Sequence, residues 1–175
     1  DSSKAGHVVG ETLTVKNLLR GLLIPSGNDS ANVVAVLVAK KVEGNDSLSF
    51  SACEEKFAEL MNEKAKSLGA VNSHFTNAHG YHDENHYTTA YDMALITKEA
   101  LKNETFREIA GTLNYTVPAT NLTEETRPLW NGNKMINPAE PYYYEYCEGG
   151  KTGYTMKANN TLMTFAKKDG LELIC

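Results

Sequence analysis

Two short stretches of this 175-residue chain, Ser26-Gly27-Asn28 and Lys151-Thr152-Gly153, have the residue types that serine acyl-transfer chemistry needs. A serine hydroxyl is a poor nucleophile until a neighbouring base takes its proton. One solution uses a lysine as that base and completes the proton network with a second serine and a second lysine. In sequence this reads S-x-x-K, then S-x-N, then K-T-G or K-S-G. The second and third parts occur here, in that order, but no serine of the chain has a lysine three residues on. Either tripeptide alone arises by chance in roughly 3–4% of chains this long, and the ordered pair in about one in a thousand. Gly153 has no side chain, so a substrate backbone can lie along the strand edge there.

Elements must hold those tripeptides in place. Thr14 is read as the cap of a helix over 15–23 that stops before Pro25. Ser26-Gly27-Asn28-Asp29 reads as a tight turn, and 31–42 as a helix apolar on most of its circumference and therefore buried, with a strand as the competing reading given its valines. Ser51-Ala52-Cys53-Glu54 has the capping-box form, with Phe57, Leu60, Met61, Ala65 and Leu68 inward and Gly69 as the stop. A polar, His-rich loop over 72–87 leads to a helix over 90–102 capped by Thr89, with Met93, Ile96, Ala100 and Leu101 inward; Thr105 caps a short helix to Ala110. The last third changes character. It reads as a strand over 113–117, a turn at Asn131-Gly132-Asn133 and, in the tyrosine run 142–146, an alternating half-buried strand in preference to a sugar-stacking surface. A strand then begins at Lys151 behind Gly149-Gly150, another covers 161–166, and Asp169-Gly170 turns the chain into a return strand from Leu171. Helices first and an antiparallel hairpin last give an α+β class. The expectation is one incomplete domain over 1–175, helical over about 13–112 and sheet-forming over about 113–175.

Bulk composition narrows the function. A net charge of −5 gives no electrostatic case for nucleic acid, and no apolar run approaches the length of a membrane span. The polar start at Asp1 has no signal-peptide pattern, which suits a cytoplasmic protein or a processed piece. Cys53, Cys147 and Cys175 are odd in number, scattered and without a CxxC, so they are read as free thiols, Cys147 as a small packed residue. His79, His82 and His86 with Asp83 and Glu84 have a spacing that fits no helical face, so no metal and no cofactor is expected.

The stretch Leu18-Leu19-Arg20-Gly21-Leu22-Leu23-Ile24-Pro25 running into Ser26-Gly27-Asn28-Asp29-Ser30-Ala31 is similar to that of a known family. So are Leu68-Gly69, His74-Phe75, His79-Gly80, Tyr91-Asp92-Met93-Ala94 and Lys151-Thr152-Gly153-Tyr154-Thr155 with Lys157-Ala158. Over nearly its whole length the chain resembles the low-molecular-weight penicillin-binding proteins, the serine D-alanyl-D-alanine carboxypeptidases. The resemblance implies part of a DD-peptidase/β-lactamase-like transpeptidase fold. It also implies an extracytoplasmic place in a bacterium, a peptidoglycan stem peptide as substrate and β-lactams as ligands. It assigns Ser26 to the proton network, Asn28 to orienting the catalytic lysine and the peptide, and Lys151 to the electrostatics of the nucleophile. Thr152 would hold the substrate's terminal carboxylate and the Tyr154 N–H would serve the oxyanion; Gly153, Thr155 and His79 would line the substrate groove. Asn159 stands where the family usually has a small residue.

In that family the S-x-x-K serine lies some tens of residues ahead of S-x-N, on a helix that would precede Asp1. The chain is therefore expected to be a piece of a longer protein, with exposed apolar surface that favours dimerisation, segment swapping or a companion chain. Two other readings stay open, a serine β-lactamase and a non-catalytic wall-binding homologue. Ser-Gly-Asn in place of Ser-Asp-Asn, and the lack of a Glu-x-x-Leu-Asn segment, favour the peptidase. Incubated alone with penicillin, these 175 residues are expected to keep their unmodified mass. A stable acyl adduct seen by intact-mass spectrometry would overturn the reading that the nucleophile lies elsewhere.

Overall fold

Helices followed by antiparallel strands are what the computed structural model contains over the residues it describes, 3–175. Helix α1 (Val15–Leu23) starts where expected, the Thr14 hydroxyl accepting the Asn17 N–H at 3.2 Å. Helix α2 (Asn28–Glu43) begins at Asn28, so the tight turn is confined to the residues before it. It buries only one face, Ser30, Ala31, Ala35 and Ala39, and leaves Val33 and Leu37 at 46% exposure. The expectation of an all-round buried helix was therefore wrong. Small residues four apart let α1 and helix α3 (Phe50–Ser67) close on one side of α2, and the opposite face meets neither.

Helix α3 is capped by Ser49, whose hydroxyl accepts the Ala52 N–H at 3.2 Å, and not by Ser51, which lies inside the helix near Glu55. Gly69 ends it at φ +83°, and the Ala70 N–H returns to the Ala65 carbonyl at 3.0 Å, the bond that closes a Schellman stop. Helix α4 (Ala90–Ala100) is capped by Thr89 as read, but its buried positions are Asp92 and Thr97, followed by Leu101. Met93, Ile96 and Ala100 are only half-buried. Asp92 faces inward because it latches the preceding loop, accepting the Asn72 N–H at 2.7 Å and the Ser73 hydroxyl at 2.8 Å. Helix α5 (Glu104–Ala110) is capped by Asn103 in place of Thr105.

Strand β1 (Asn114–Val117) pairs antiparallel with β2 (Arg127–Trp130), an element the sequence reading lacked because Pro128 sits inside it. A two-stranded ribbon leaves β2 an unpaired side, which is where a proline is tolerated. The tyrosine run is not a strand. Tyr142, Tyr143 and Tyr144 are exposed in turns, with the Tyr143 N–H on the Glu140 carbonyl and the Tyr144 N–H on the Met135 carbonyl. Strand β3 (Cys147–Thr155) starts at Cys147, not Lys151, so Gly149 and Gly150 lie within it. Both glycines are required by contact. A Cβ on Gly149 would lie 2.7 Å from the Phe165 ring and 2.9 Å from the Ala110 backbone, and one on Gly150 would strike the Met163 carbonyl. Strands β4 (Asn159–Lys168) and β5 (Leu171–Ile174) complete the sheet in the order β3-β4-β5, joined through Asp169 and Gly170 at φ +51° and +82°.

Two apolar clusters hold these layers. Ile24, Ile109, Val117 and Leu129 join α1 and α5 to the β1–β2 ribbon. Leu101, Ala110 and Phe165 join α4 and α5 to the larger sheet, with Phe106, Met163 and Ile174 against them. The outer sheet face leaves Leu162, Leu171 and Leu173 between 46% and 61% exposed. Phe165 is fully buried at the centre of the second cluster, so Phe165→Ala is expected to cost about 3–5 kcal/mol, measured by denaturant unfolding.

Candidate active site

Ser26 leaves α1 at φ +61°, a left-handed backbone that costs an L-residue roughly 1–2 kcal/mol. The strain persists because the turn is held from several sides. The Gly27 N–H donates to the Gly21 carbonyl at 3.0 Å and the Asn28 N–H to the Ser3 carbonyl at 2.9 Å. The Asp29 carboxylate accepts N–H groups from Ala5, Gly6 and His7 at 2.8–3.1 Å and from Ser30 at 2.9 Å. Burial alone would raise the Asp29 carboxyl, but these four donors hold it below its usual range. Close approach of α1 requires glycines here too, since a Cβ at Gly21 would lie 2.5 Å from the Ser30 hydroxyl.

The second tripeptide reaches the first across the whole fold. Lys151 Nζ donates to Ser26 Oγ at 2.6 Å and to the Thr152 carbonyl at 2.7 Å. Desolvation lowers the Lys151 ammonium from 10.5 to about 8. At neutral pH it is still about nine-tenths protonated, so the ammonium is the donor to Ser26. The serine's own proton is thereby left free to be given elsewhere. Because β3 is an edge strand in the order β3-β4-β5, Thr152, Gly153 and Tyr154 border the open side of the sheet.

Ser26, Asn28, Lys151, Thr152, Gly153, Tyr154, Thr155 and His79 all line one groove of 1090 Å³. The structure thus brings together every residue that the sequence singled out for the site. Their surroundings differ. Tyr154 is 67% exposed. The Thr155 hydroxyl accepts the Ala158 N–H at 2.9 Å and so shapes the β3–β4 turn as well as the groove. His79 stacks edge-on against Tyr81 and takes the Tyr81 N–H on Nδ1, and burial lowers its pKa. His82 is exposed, and among the described residues no group of three His, Cys, Asp or Glu side chains converges.

Sequence reasoning missed two groove residues, His86 and Trp130, and two asparagines that brace the loop beside them. His86 lines the groove, takes the Thr76 N–H on Nδ1 at 3.1 Å and is lowered by burial. Trp130 stands 65% exposed at the groove, on the unrecognised β2. The Asn131 and Asn133 side chains fix the loop around Gly132, whose Cα faces Thr152. Asn131 donates to the Ala110 and Thr112 carbonyls and accepts the Asn133 N–H, and Asn133 accepts the Met135 N–H. The Asn-x-Asn spacing is the available signal, since each side chain can cap the backbone two residues on.

The family model described as D-alanyl-D-alanine carboxypeptidase, peptidase S11, matches residues 1–175. The chain is 38% identical over 165 residues to the D-alanyl-D-alanine carboxypeptidase DacF of Bacillus subtilis, covering 94% of this chain and 38% of that protein. It is 32% identical over 175 residues to a D-alanyl-D-alanine carboxypeptidase of Streptomyces sp. strain K15, covering 98% of this chain and 56% of that one. The crystal structure of the Streptomyces K15 DD-transpeptidase superimposes at a TM-score of 0.83 and 31% identity, over 99% of this chain and 63% of that one. The fold is thus that of the DD-transpeptidases, and this chain spans between about a third and two thirds of the length of these relatives.

Two measurements test the site's physics. A lysine with a depressed pKa is charged in the unfolded chain but neutral in the folded one between pH 8 and 10.5. Stability should therefore rise through that window, by at most about 3 kcal/mol, and Lys151→Met should flatten the rise in unfolding titrations. Separately, Ser26→Gly should unfold about 1 kcal/mol less readily than Ser26→Ala, because only glycine relieves the positive φ.

Proposed function

We propose, from the premise that this chain belongs to the peptidase S11 family of D-alanyl-D-alanine carboxypeptidases, that its parent protein removes the terminal D-alanine from peptidoglycan stem peptides through an acyl-enzyme. On this reading the 175 residues are one incomplete domain that carries the proton-relay and peptide-holding half of the site. An S-x-x-K segment outside them supplies the nucleophile. The Lys151 to Ser26 bond of 2.6 Å carries the reading, because it joins the two motifs in the order a relay needs.

In the proposed step the nucleophilic serine oxygen bonds to the carbonyl carbon of the penultimate D-alanine, and the bond to the terminal D-alanine nitrogen breaks. Ser26, fixed by Lys151, passes its proton to the departing amine and is resupplied from the nucleophile's side. Thr152 holds the terminal carboxylate, and Asn28 orients the lysine of S-x-x-K and the peptide. The peptide extends along Gly153 with Thr155 and His79 as walls, and the Tyr154 N–H stabilises the oxyanion. Water then adds to the ester, freeing the shortened peptide and restoring the serine. A β-lactam acylates the same serine and hydrolyses slowly, which makes the parent penicillin-binding. Such a substrate places the protein outside the cytoplasmic membrane of a bacterium; among the described residues no helix is long and apolar enough to cross one.

The test uses the full-length gene product and a peptide ending in D-Ala-D-Ala. D-alanine release is expected, with kcat for Ser26→Ala down by about 10²–10⁴. Rapid penicillin turnover without D-alanine release would mark a β-lactamase instead, and neither activity would mark a non-catalytic wall-binding homologue.

A further inference from the structure

Behind the Ser26 turn lies a pair of side chains that the proton relay does not use. Gly21 and Ser30 flank the turn in the chain and meet beneath it. A Cβ at Gly21 would stand 2.5 Å from Ser30 Oγ and 3.1 Å from His7 Nε2. Ser30 is completely buried on the small-residue face of α2. Among the described residues its hydroxyl has one partner, His7 Nε2 at 2.7 Å. The His7 side chain is itself only 10% exposed, and the Glu11 carboxylate stands 3.8 Å from its Nδ1. Glu11 is ionised, because Arg127 donates to it at 2.7 and 3.0 Å and Thr120 at 2.9 Å. These charges set the direction of the line from Ser30 through His7 to Glu11. A carboxylate attracts a proton and repels a lone pair, so the imidazole proton sits on Nδ1 and Nε2 accepts the Ser30 O–H. Buried Nδ1 has no hydrogen-bond partner among the described residues, so nothing there favours the opposite tautomer. A serine, histidine and glutamate in line can activate a nucleophile, but this serine is sealed from solvent and cannot meet a substrate.

What the line can do is hold. The Asp29 carboxylate already ties the N-terminal segment to α2 through the N–H groups of Ala5, Gly6 and His7. One anchor would let the first turn of α2 pivot. The adjacent Ser30 supplies a second anchor in another direction, to the His7 ring. We propose that His7 is a positioning residue for acyl transfer: oriented by Glu11, it accepts the Ser30 hydroxyl proton and so fixes the first turn of α2, and with it the Ser26 oxygen, within reach of Lys151. The proposal rests on the carboxypeptidase reading above and adds a residue that touches neither the substrate nor the reacting atoms. The position it guards is narrow. Ser26 Oγ lies 2.6 Å from Lys151 Nζ on a backbone at φ +61° that relaxes if its neighbours let go, and a misplacement of about 1 Å can cost 10²-fold in rate.

The test uses the full-length gene product and a peptide ending in D-Ala-D-Ala, with kcat expressed per site titrated by penicillin so that misfolded molecules do not count. His7→Leu, and Ser30→Ala as the smaller change, should each lower kcat about tenfold and leave KM within about twofold. The double variant should lose no more than either alone, because both break one contact. His7→Gln, whose side-chain oxygen can accept the Ser30 proton, should recover most of the loss. The alkaline limb of the kcat/KM profile should also move to lower pH in His7→Leu, because a Lys151 ammonium that loses its serine acceptor gives up its proton more readily. A merely structural role for His7 would move neither the limb nor the rate per titrated site. An unchanged kcat per titrated site in either single variant, or losses that add in the double variant, overturns this proposal alone. A wild type that releases no D-alanine overturns the carboxypeptidase reading beneath it.

Discussion

The hydrogen bond from Lys151 to Ser26 joins residues 125 apart in the chain, and much of the fold can be understood as what holds its two ends. On one side stands a serine in a left-handed conformation that a free chain would avoid. On the other stands a lysine partly stripped of water, with its pKa brought down to about 8. Neither state is favourable alone. A buried ammonium needs acceptors, and the Ser26 hydroxyl and the Thr152 carbonyl are the two it has. The serine reaches it only because of the strained turn. The cost on one side is thus offset by the bond it allows on the other, and the surrounding packing prevents either from relaxing.

That packing uses absence of side chains more than presence. Gly21 and Gly27 let α1, the N-terminal segment and the start of α2 meet behind Ser26, and Gly149 and Gly150 let α5 and β4 close on β3 just ahead of Lys151. The two apolar clusters lie on either side of α5, with Ile109 in one and Ala110 in the next. A seven-residue helix therefore couples the ribbon that carries Trp130 to the sheet that carries the lysine.

The helices and the β4–β5 turn were legible because their signals are local: Thr14 and Thr89 as caps, Gly69 as a stop, Asp169-Gly170 as a two-residue turn. The two tripeptides were legible because their chemistry is rare. What failed was set by distant contacts. Strand β2 was hidden by Pro128, which only the ribbon's free side makes acceptable. The tyrosine run alternates in no useful way once Met135 and Glu140 take its N–H groups into turns. Helix α2 was judged by composition, although its neighbours cover one side only. The loop groups that Asp92 binds and, Ser30 apart, the donors to Asp29 lie 19 to 24 residues away along the chain, beyond any periodicity.

Those long-range carboxylates set the order in which acid takes the site apart. Burial would raise Glu11, but Arg127, Thr120 and the Val8 N–H bring its pKa down to about 2, and Asp29 is held low by amides. A depressed carboxylate keeps contributing to stability until the pH falls through its folded value. Both anchors of the N-terminal segment therefore outlast mild acid. His79 and His86, kept neutral by burial, also resist protonation below the usual imidazole range. The groove is in this sense proton-hardened: the carboxylates that brace it stay ionised, and its two buried imidazoles stay neutral, as the medium turns mildly acidic.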